Sequence, residues 1–110
     1  MREEDDGMTD ISDLRVGIAG FGLIGGSLAA ALEGSVREIS AWDAYPEVLE
    51  RGLEMGFSFR PCGSPEEFAN SSDVIILAVP LRNMKDISQK LEPLFEVPPQ
   101  AVLDTGSTKK

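Results

Sequence analysis

Apolar residues fall in short blocks along this chain, and the blocks alternate between two patterns. The stretch 14–19 is almost continuously apolar, which predicts a strand covered on both faces, as in a parallel sheet. Ile24, Leu28 and Leu32 then recur at four-residue steps with Ala29, Ala30 and Ala31 between them, which predicts a helix over 23–32 lying close to the sheet. Gly34 is a suitable terminal cap for it. A second strand spans 38–42 and ends at Asp43. Pro46 suits the first position of the next helix, which carries Val48, Leu49, Leu53 and Met55 and closes at Gly56. Phe57-Ser58-Phe59 reads as a short third strand and Pro61-Cys62-Gly63 as a turn. Ser64 is placed to cap a brief helix with Pro65 first inside it and Glu66 and Glu67 in its first turn. The run 74–79, bounded by Asp73 and Pro80, is apolar throughout and predicts a central strand. A helix over 81–94 with Met84, Ile87 and Leu91 on one face, a loop over 96–99 and a last strand over 101–104 complete the pattern.

Strands that alternate with helices pair in parallel through right-handed crossovers. The expected fold is α/β, a Rossmann-type doubly wound, mainly parallel sheet of about five strands. It forms a single domain over 14–110, after an acidic flexible tail over 1–13 that contains Glu3, Glu4, Asp5 and Asp6.

Composition narrows the partners. The chain has 110 residues and is 42% hydrophobic, enough for one core. A net charge of -9 argues against nucleic acid or an anionic membrane as partner. No apolar run approaches the ~20 residues that span a bilayer. The acidic N-terminus does not fit a signal peptide, and the single cysteine, Cys62, fits a reducing compartment, so a cytoplasmic location is expected. With no histidine and one cysteine, no metal-ligand spacing exists.

The chemistry centres on Gly20-Phe21-Gly22-Leu23-Ile24-Gly25-Gly26-Ser27, where a strand turns into a helix. This is the context of a dinucleotide-binding GxGxxG. Gly20 allows the tight turn, Gly22 lets a pyrophosphate approach the backbone, and Gly25 lets the helix pack on its strand. The helix start offers unpaired N–H groups and the positive end of its dipole. Asp43 lies about 20 residues on and can accept hydrogen bonds from the adenosine ribose while repelling a 2′-phosphate, so NAD is expected over NADP. Its alternative role is a turn aspartate or helix cap. Val79 and Pro80 sit at the carboxyl end of the fourth strand, where ligands bind in open α/β sheets; the alternative is a simple strand terminator. The polar run from Asp104 to Lys109 follows the fifth strand and could hold a substrate hydroxyl or carboxylate, or be a solvated loop. Cys62, Trp42 and Tyr45 read as packing or turn residues.

Taken together, the glycine segment, Ala78-Val79-Pro80 and Asp104-Thr105-Gly106-Ser107-Thr108-Lys109 resemble the nucleotide-binding domain of the prephenate/arogenate dehydrogenase family, from about Arg15 to Lys110. The resemblance implies an NAD(P)-dependent oxidative decarboxylation in tyrosine biosynthesis. Hydride passes from the hydroxyl-bearing ring carbon to the nicotinamide, carbon dioxide leaves, and prephenate becomes 4-hydroxyphenylpyruvate, or arogenate becomes tyrosine. It places Ser107 at the active site beside the substrate hydroxyl. It places Gly20, Gly22 and Gly25 at the pyrophosphate and Asp43 at the ribose; with Phe21, Leu23 and Ile24 of the turn and Val79 and Pro80 at the strand end, these are the expected cofactor-binding residues. The family also uses a histidine soon after the serine motif and a helical second domain that completes the active site and forms a homodimer. Both are absent from these 110 residues, so the chain is expected to be the cofactor-binding portion of a longer enzyme and to turn over prephenate negligibly by itself. The alternatives are another NAD(P)-dependent hydroxy or amino acid dehydrogenase, or a non-catalytic NAD-binding module.

Overall fold

The computed structural model describes residues 11–96 and 99–104, the side chains of Leu23 and Leu81 excepted. The acidic run Glu3–Asp6 and the segment 105–110 lie outside these. Five strands, β1 (Arg15–Ala19), β2 (Glu38–Trp42), β3 (Arg60–Pro61), β4 (Val74–Leu77) and β5 (Ala101–Asp104), form one sheet in the order β3-β2-β1-β4-β5. Every pairing is parallel. Four helices connect them: α1 (Leu23–Leu32), α2 (Pro46–Glu54), α3 (Pro65–Ala69) and α4 (Leu81–Leu91).

Side chains alternate across the strands and build a core on each face. Val16, Ile18, Ile39 and Ala41 meet Ala29 of α1 and Leu49 of α2 on one side. Ala19, Trp42, Ile75 and Leu77 meet Phe68 of α3 and Met84 and Leu91 of α4 on the other. The chain therefore changes face between β3 and β4, and β1 and β4, which diverge in topology, lie side by side at the centre. The sheet opens a crevice at the carboxyl ends of such a strand pair.

The expected fold class is what the structure shows, with local corrections. The third strand is Arg60–Pro61, not 57–59. Phe57 and Phe59 instead pack beneath β2 and α2, because burying two aromatic rings outweighs extending a strand already at the sheet edge. β4 ends at Leu77, two residues early, as the chain turns at Ala78 and Val79. The last helix stops at Leu91, and Pro93, which cannot continue the α-helical hydrogen bonds, lies in a 3-10 turn over Glu92–Leu94. Ile11–Asp13, assigned to the tail, forms a 3-10 turn whose Ile11 carbonyl accepts from Leu14 N–H at 3.0 Å.

The first helix rests on its small residues. Gly25, Gly26 and Ala29 are buried, while Ile24 is 55% exposed and Leu28 and Leu32 only border the core. Leu53, Met55 and Tyr45, expected to pack, are exposed as well. The brief helix α3 starts as expected: Ser64 Oγ accepts the Glu67 N–H at 3.2 Å.

At the amino ends of the strands, Arg15 grips Asp73 through its side chain at 2.9 and 3.2 Å and through its backbone N–H at 2.9 Å. This ties β1 to the residue preceding β4, and the guanidinium holds the Asp73 carboxyl below the usual carboxylate range. Arg60 joins Glu38 and Glu67 at 2.7 and 3.1 Å. Buried Ser40 and Ser72 satisfy each other at 3.2 Å across the sheet face.

Candidate functional site

The glycine turn sits where β1 runs out. Gly20 still bonds to its neighbours on β2, donating to the Trp42 carbonyl at 2.8 Å. Its φ of +92° is one that side-chain-bearing residues rarely adopt. A Cβ there would also lie 2.6 Å from Val79 Cγ1 and 2.8 Å from the Ala78 carbonyl oxygen. Glycine at this position thus lets the ends of β1 and β4 come together, and it brings Val79 directly against the turn. Pro80, by contrast, is exposed and forms the amino-terminal cap of α4.

Gly25 permits the second close approach. A Cβ on it would collide with the Gly20 carbonyl oxygen and lie 3.3 Å from Ile18 Cγ2. The first turn of α1 therefore packs on the end of its own strand. Gly22, the residue before α1, has nothing within 4 Å of where its Cβ would be. No side chain caps the helix at Gly22, and the first intrahelical bond is from Gly26 N–H to the Gly22 carbonyl at 2.9 Å. The N–H groups of Leu23, Ile24 and Gly25 precede that bond and so point along the helix axis toward an open side. These residues fit a dinucleotide: an uncapped helix start, a backbone free of Cβ at the approach, and a tight strand behind it.

Asp43 is at the carboxyl end of β2, next to this turn. Its Oδ2 accepts the Phe21 N–H at 2.8 Å and its Oδ1 accepts the Tyr45 N–H at 2.9 Å. The turn-aspartate role considered for it is thus present, and its span of 22 residues reaches back to the glycine turn itself. Each carboxylate oxygen keeps a second lone pair for a ribose hydroxyl.

Two features of this region were not apparent in the sequence. Phe21 has its side chain buried, with its ring centroid 4.2 Å from that of Phe59 and 5.8 Å from that of Phe57. The aromatic spacing Phe57-x-Phe59 was the available signal, and it was spent on a strand. A cleft of about 460 Å³ also runs between α1 and α2, lined by Gly22, Ser27, Glu47, Arg51, Met55 and Phe57. It reaches the turn on the side away from β4.

Asp104 closes β5 and pairs in register with Leu77 of β4, so the polar run that follows starts on the same edge of the sheet as the glycine turn. Ser107, the expected catalytic residue, lies outside the described residues. Cys62 is buried, and burial pushes its thiol pKa up, the reverse of an activated nucleophile. Among the described residues, no group of acids, cysteines and histidines could hold a metal, and no helix is long and apolar enough to cross a membrane.

A doubly wound parallel sheet with a glycine turn at its switch point, an open helix start and an acid closing the second strand has the architecture of a dinucleotide-binding domain. Comparison with known proteins gives the family. Residues 1–103 match the D-isomer specific 2-hydroxyacid dehydrogenase, NAD binding domain, and the chain belongs to that family. It is a dehydrogenase-type NAD-binding domain.

Solved structures agree. Prephenate dehydrogenase from A. aeolicus, in complex with hydroxyphenyl propionate and NAD+, is similar at 25% identity with a TM-score of 0.71, over 88% of this chain and 35% of that one. 3-Hydroxyisobutyrate dehydrogenase from Mycobacterium tuberculosis matches at 17% identity and a TM-score of 0.73, over 84% and 31%. An imine reductase from Pseudomonas sp. matches at 21% and 0.66, over 84% and 32%. The last two share the fold. The chain spans about a third of the length of each of these structures.

Proposed function

We propose that this chain is the cofactor-binding portion of an enzyme that oxidatively decarboxylates prephenate or arogenate. The observation that carries this reading is the similarity to prephenate dehydrogenase structures at 25% and 26% identity, over 88% and 81% of the chain. The family motif that begins at Asp104 adds to it, and Asp104 itself pairs with Leu77 at the carboxyl end of β4.

In this reading Gly20, Gly22 and the N–H groups of Leu23, Ile24 and Gly25 hold the pyrophosphate, with Phe21 anchoring the turn. Asp43 takes the adenosine ribose hydroxyls, and its charge opposes a 2′-phosphate, so NAD is preferred to NADP. Val79 and Pro80 border the cofactor at the end of β4. Ser107 donates to or accepts from the substrate hydroxyl. Bound NAD supplies the hydride acceptor. Removal of the hydroxyl proton falls to a base in the remainder of the full-length enzyme, because among the described residues no group at the sheet edge is suited to it. That remainder also forms the homodimer, and the enzyme works in the cytoplasm.

The test is NADH formation by the full-length protein with prephenate and with arogenate. Oxidation of either substrate, lost in Ser107→Ala with NAD affinity retained, is the expected result. Normal NAD binding without oxidation of either would refute the assignment. It would favour a second reading, a 2-hydroxyacid dehydrogenase, for which the family match itself speaks.

A further inference from the structure

We propose that Asp43 and Phe21 together are a positioning pair that holds the glycine turn in its binding shape, apart from any contact Asp43 makes with ribose. This deepens the reading that the turn holds the pyrophosphate, and it rests on that reading.

The turn has a conformational problem. Phe21 lies between two glycines, the residues that lose most backbone freedom when ordered. Gly20 is at φ +92°, and Gly22 has no neighbour within 4 Å of its Cβ position. Gly20 is tied to β2 through the Trp42 carbonyl and Gly22 to the helix through the Gly26 N–H, and between them Phe21 is held by contacts of its own. Its N–H donates to Asp43 Oδ2 at 2.8 Å. Its ring is 4% exposed and is held by Phe57 and Phe59. The ring also occupies the space left by Gly52 of α2, where a Cβ would lie 2.8 Å from Phe21 Cε2.

Asp43 is fixed in turn. The Tyr45 N–H donates to its Oδ1 at 2.9 Å, so the carboxylate bridges the backbone after β2 to the backbone after β1. A hydrogen bond to a charged acceptor is stronger than a neutral one. Each oxygen gives one lone pair to a backbone N–H and keeps one. The carboxylate can therefore receive ribose hydroxyls without releasing the turn.

The two roles separate with ligands. If Asp43 acts only on ribose, a nucleotide without ribose hydroxyls is indifferent to it. If it also holds the turn, that nucleotide senses its loss. Charge works against a false positive, because removing a carboxylate favours an anionic ligand.

The experiment compares ADP with 2′,3′-dideoxyadenosine diphosphate on the chain, with Asp43→Ala and Phe21→Leu as variants. Asp43→Ala is expected to weaken the dideoxy ligand about tenfold or more, the scale of one lost charge-assisted hydrogen bond, and ADP by more. Phe21→Leu keeps Asp43 and the N–H but loosens the ring's hold, and it is expected to weaken both ligands by the same factor. It also supplies the test if Asp43→Ala fails to fold. Unchanged affinity for the dideoxy ligand in Asp43→Ala, with ADP alone weakened, overturns the proposal. So does Phe21→Leu with both affinities unchanged. If the unmodified chain binds neither nucleotide, the placement of the pyrophosphate on this turn fails first, and the positioning role goes with it.

Discussion

Alanine at Gly25 and alanine at Gly22 should have opposite consequences, though the two glycines are three residues apart on one turn. At Gly25 two effects compete. Alanine favours a helix over glycine by about 1 kcal/mol. Against this, its Cβ would overlap the Gly20 carbonyl oxygen, a backbone atom that no rotamer change can move, and lie 3.3 Å from Ile18 Cγ2. Forcing extra volume into a packed contact costs roughly 1–3 kcal/mol. The clash wins, because relieving it means moving the start of α1 away from β1. The net loss is about 1–2 kcal/mol, a fall in Tm on the order of 5–10 °C for a domain of this size.

Gly22 has no atom within 4 Å to clash with, and its φ of -81° lies outside the left-handed region. There the stability cost is confined to a poorer helix cap, within about 1 kcal/mol. The new methyl group instead stands on the open side, where the proposed pyrophosphate site has phosphate oxygens reach the N–H groups of α1. Displacing one charge-assisted hydrogen bond weakens NAD about tenfold or more. Thermal unfolding and NAD titration of both variants decide the matter. A Gly25→Ala chain as stable as the original would refute the packing argument. A Gly22→Ala chain that binds NAD normally would refute the approach argument.

Two further predictions concern titratable groups. The Asp73 carboxyl is held below its ordinary pKa by Arg15, so it contributes stability above the unfolded carboxylate pKa of about 3.9 and loses it as pH falls through the lower folded value. Thermal unfolding followed from neutral pH down to about pH 3 should therefore show a steeper acid decline in the unmodified chain than in Asp73→Asn, which should start less stable at neutral pH; parallel curves would remove Asp73 from the acid response. Cys62 is buried with a raised thiol pKa, so a thiol reagent at neutral pH should label it only after denaturant is added. Rapid labelling of the folded chain would show that the cover over Cys62 opens readily.

The sequence carried the site's framework unusually far. The glycine turn, the helix over 23–32, the strand ending at Trp42 and the strand over 101–104 all lie where the apolar pattern and the punctuating residues put them. Each is specified locally, by period, by a glycine or proline at an end, or by an acid at a fixed remove. The failures share a cause. Phe57-Ser58-Phe59 alternates as a strand does, but its rings are claimed by Phe21, far back in the chain. Ile24, Leu28 and Leu32 form a helical stripe, yet the buried face is Gly25 and Ala29 toward the sheet and Gly26 against the Phe57 ring. Periodicity shows which residues share a face, and it is silent on how closely that face approaches its neighbour.

The sequence by itself determined that this chain is a parallel α/β domain with a glycine turn between its first strand and first helix, because patterning and glycine placement act over a few residues. Only the tertiary structure decided how that turn is held. The bond from Asp43 to the Phe21 N–H joins residues 22 apart, the Gly20 position abuts Val79, and Arg15 clasps Asp73 across 58 residues. Such contacts depend on which strands become neighbours, and strand order is set by packing both faces of the sheet at once.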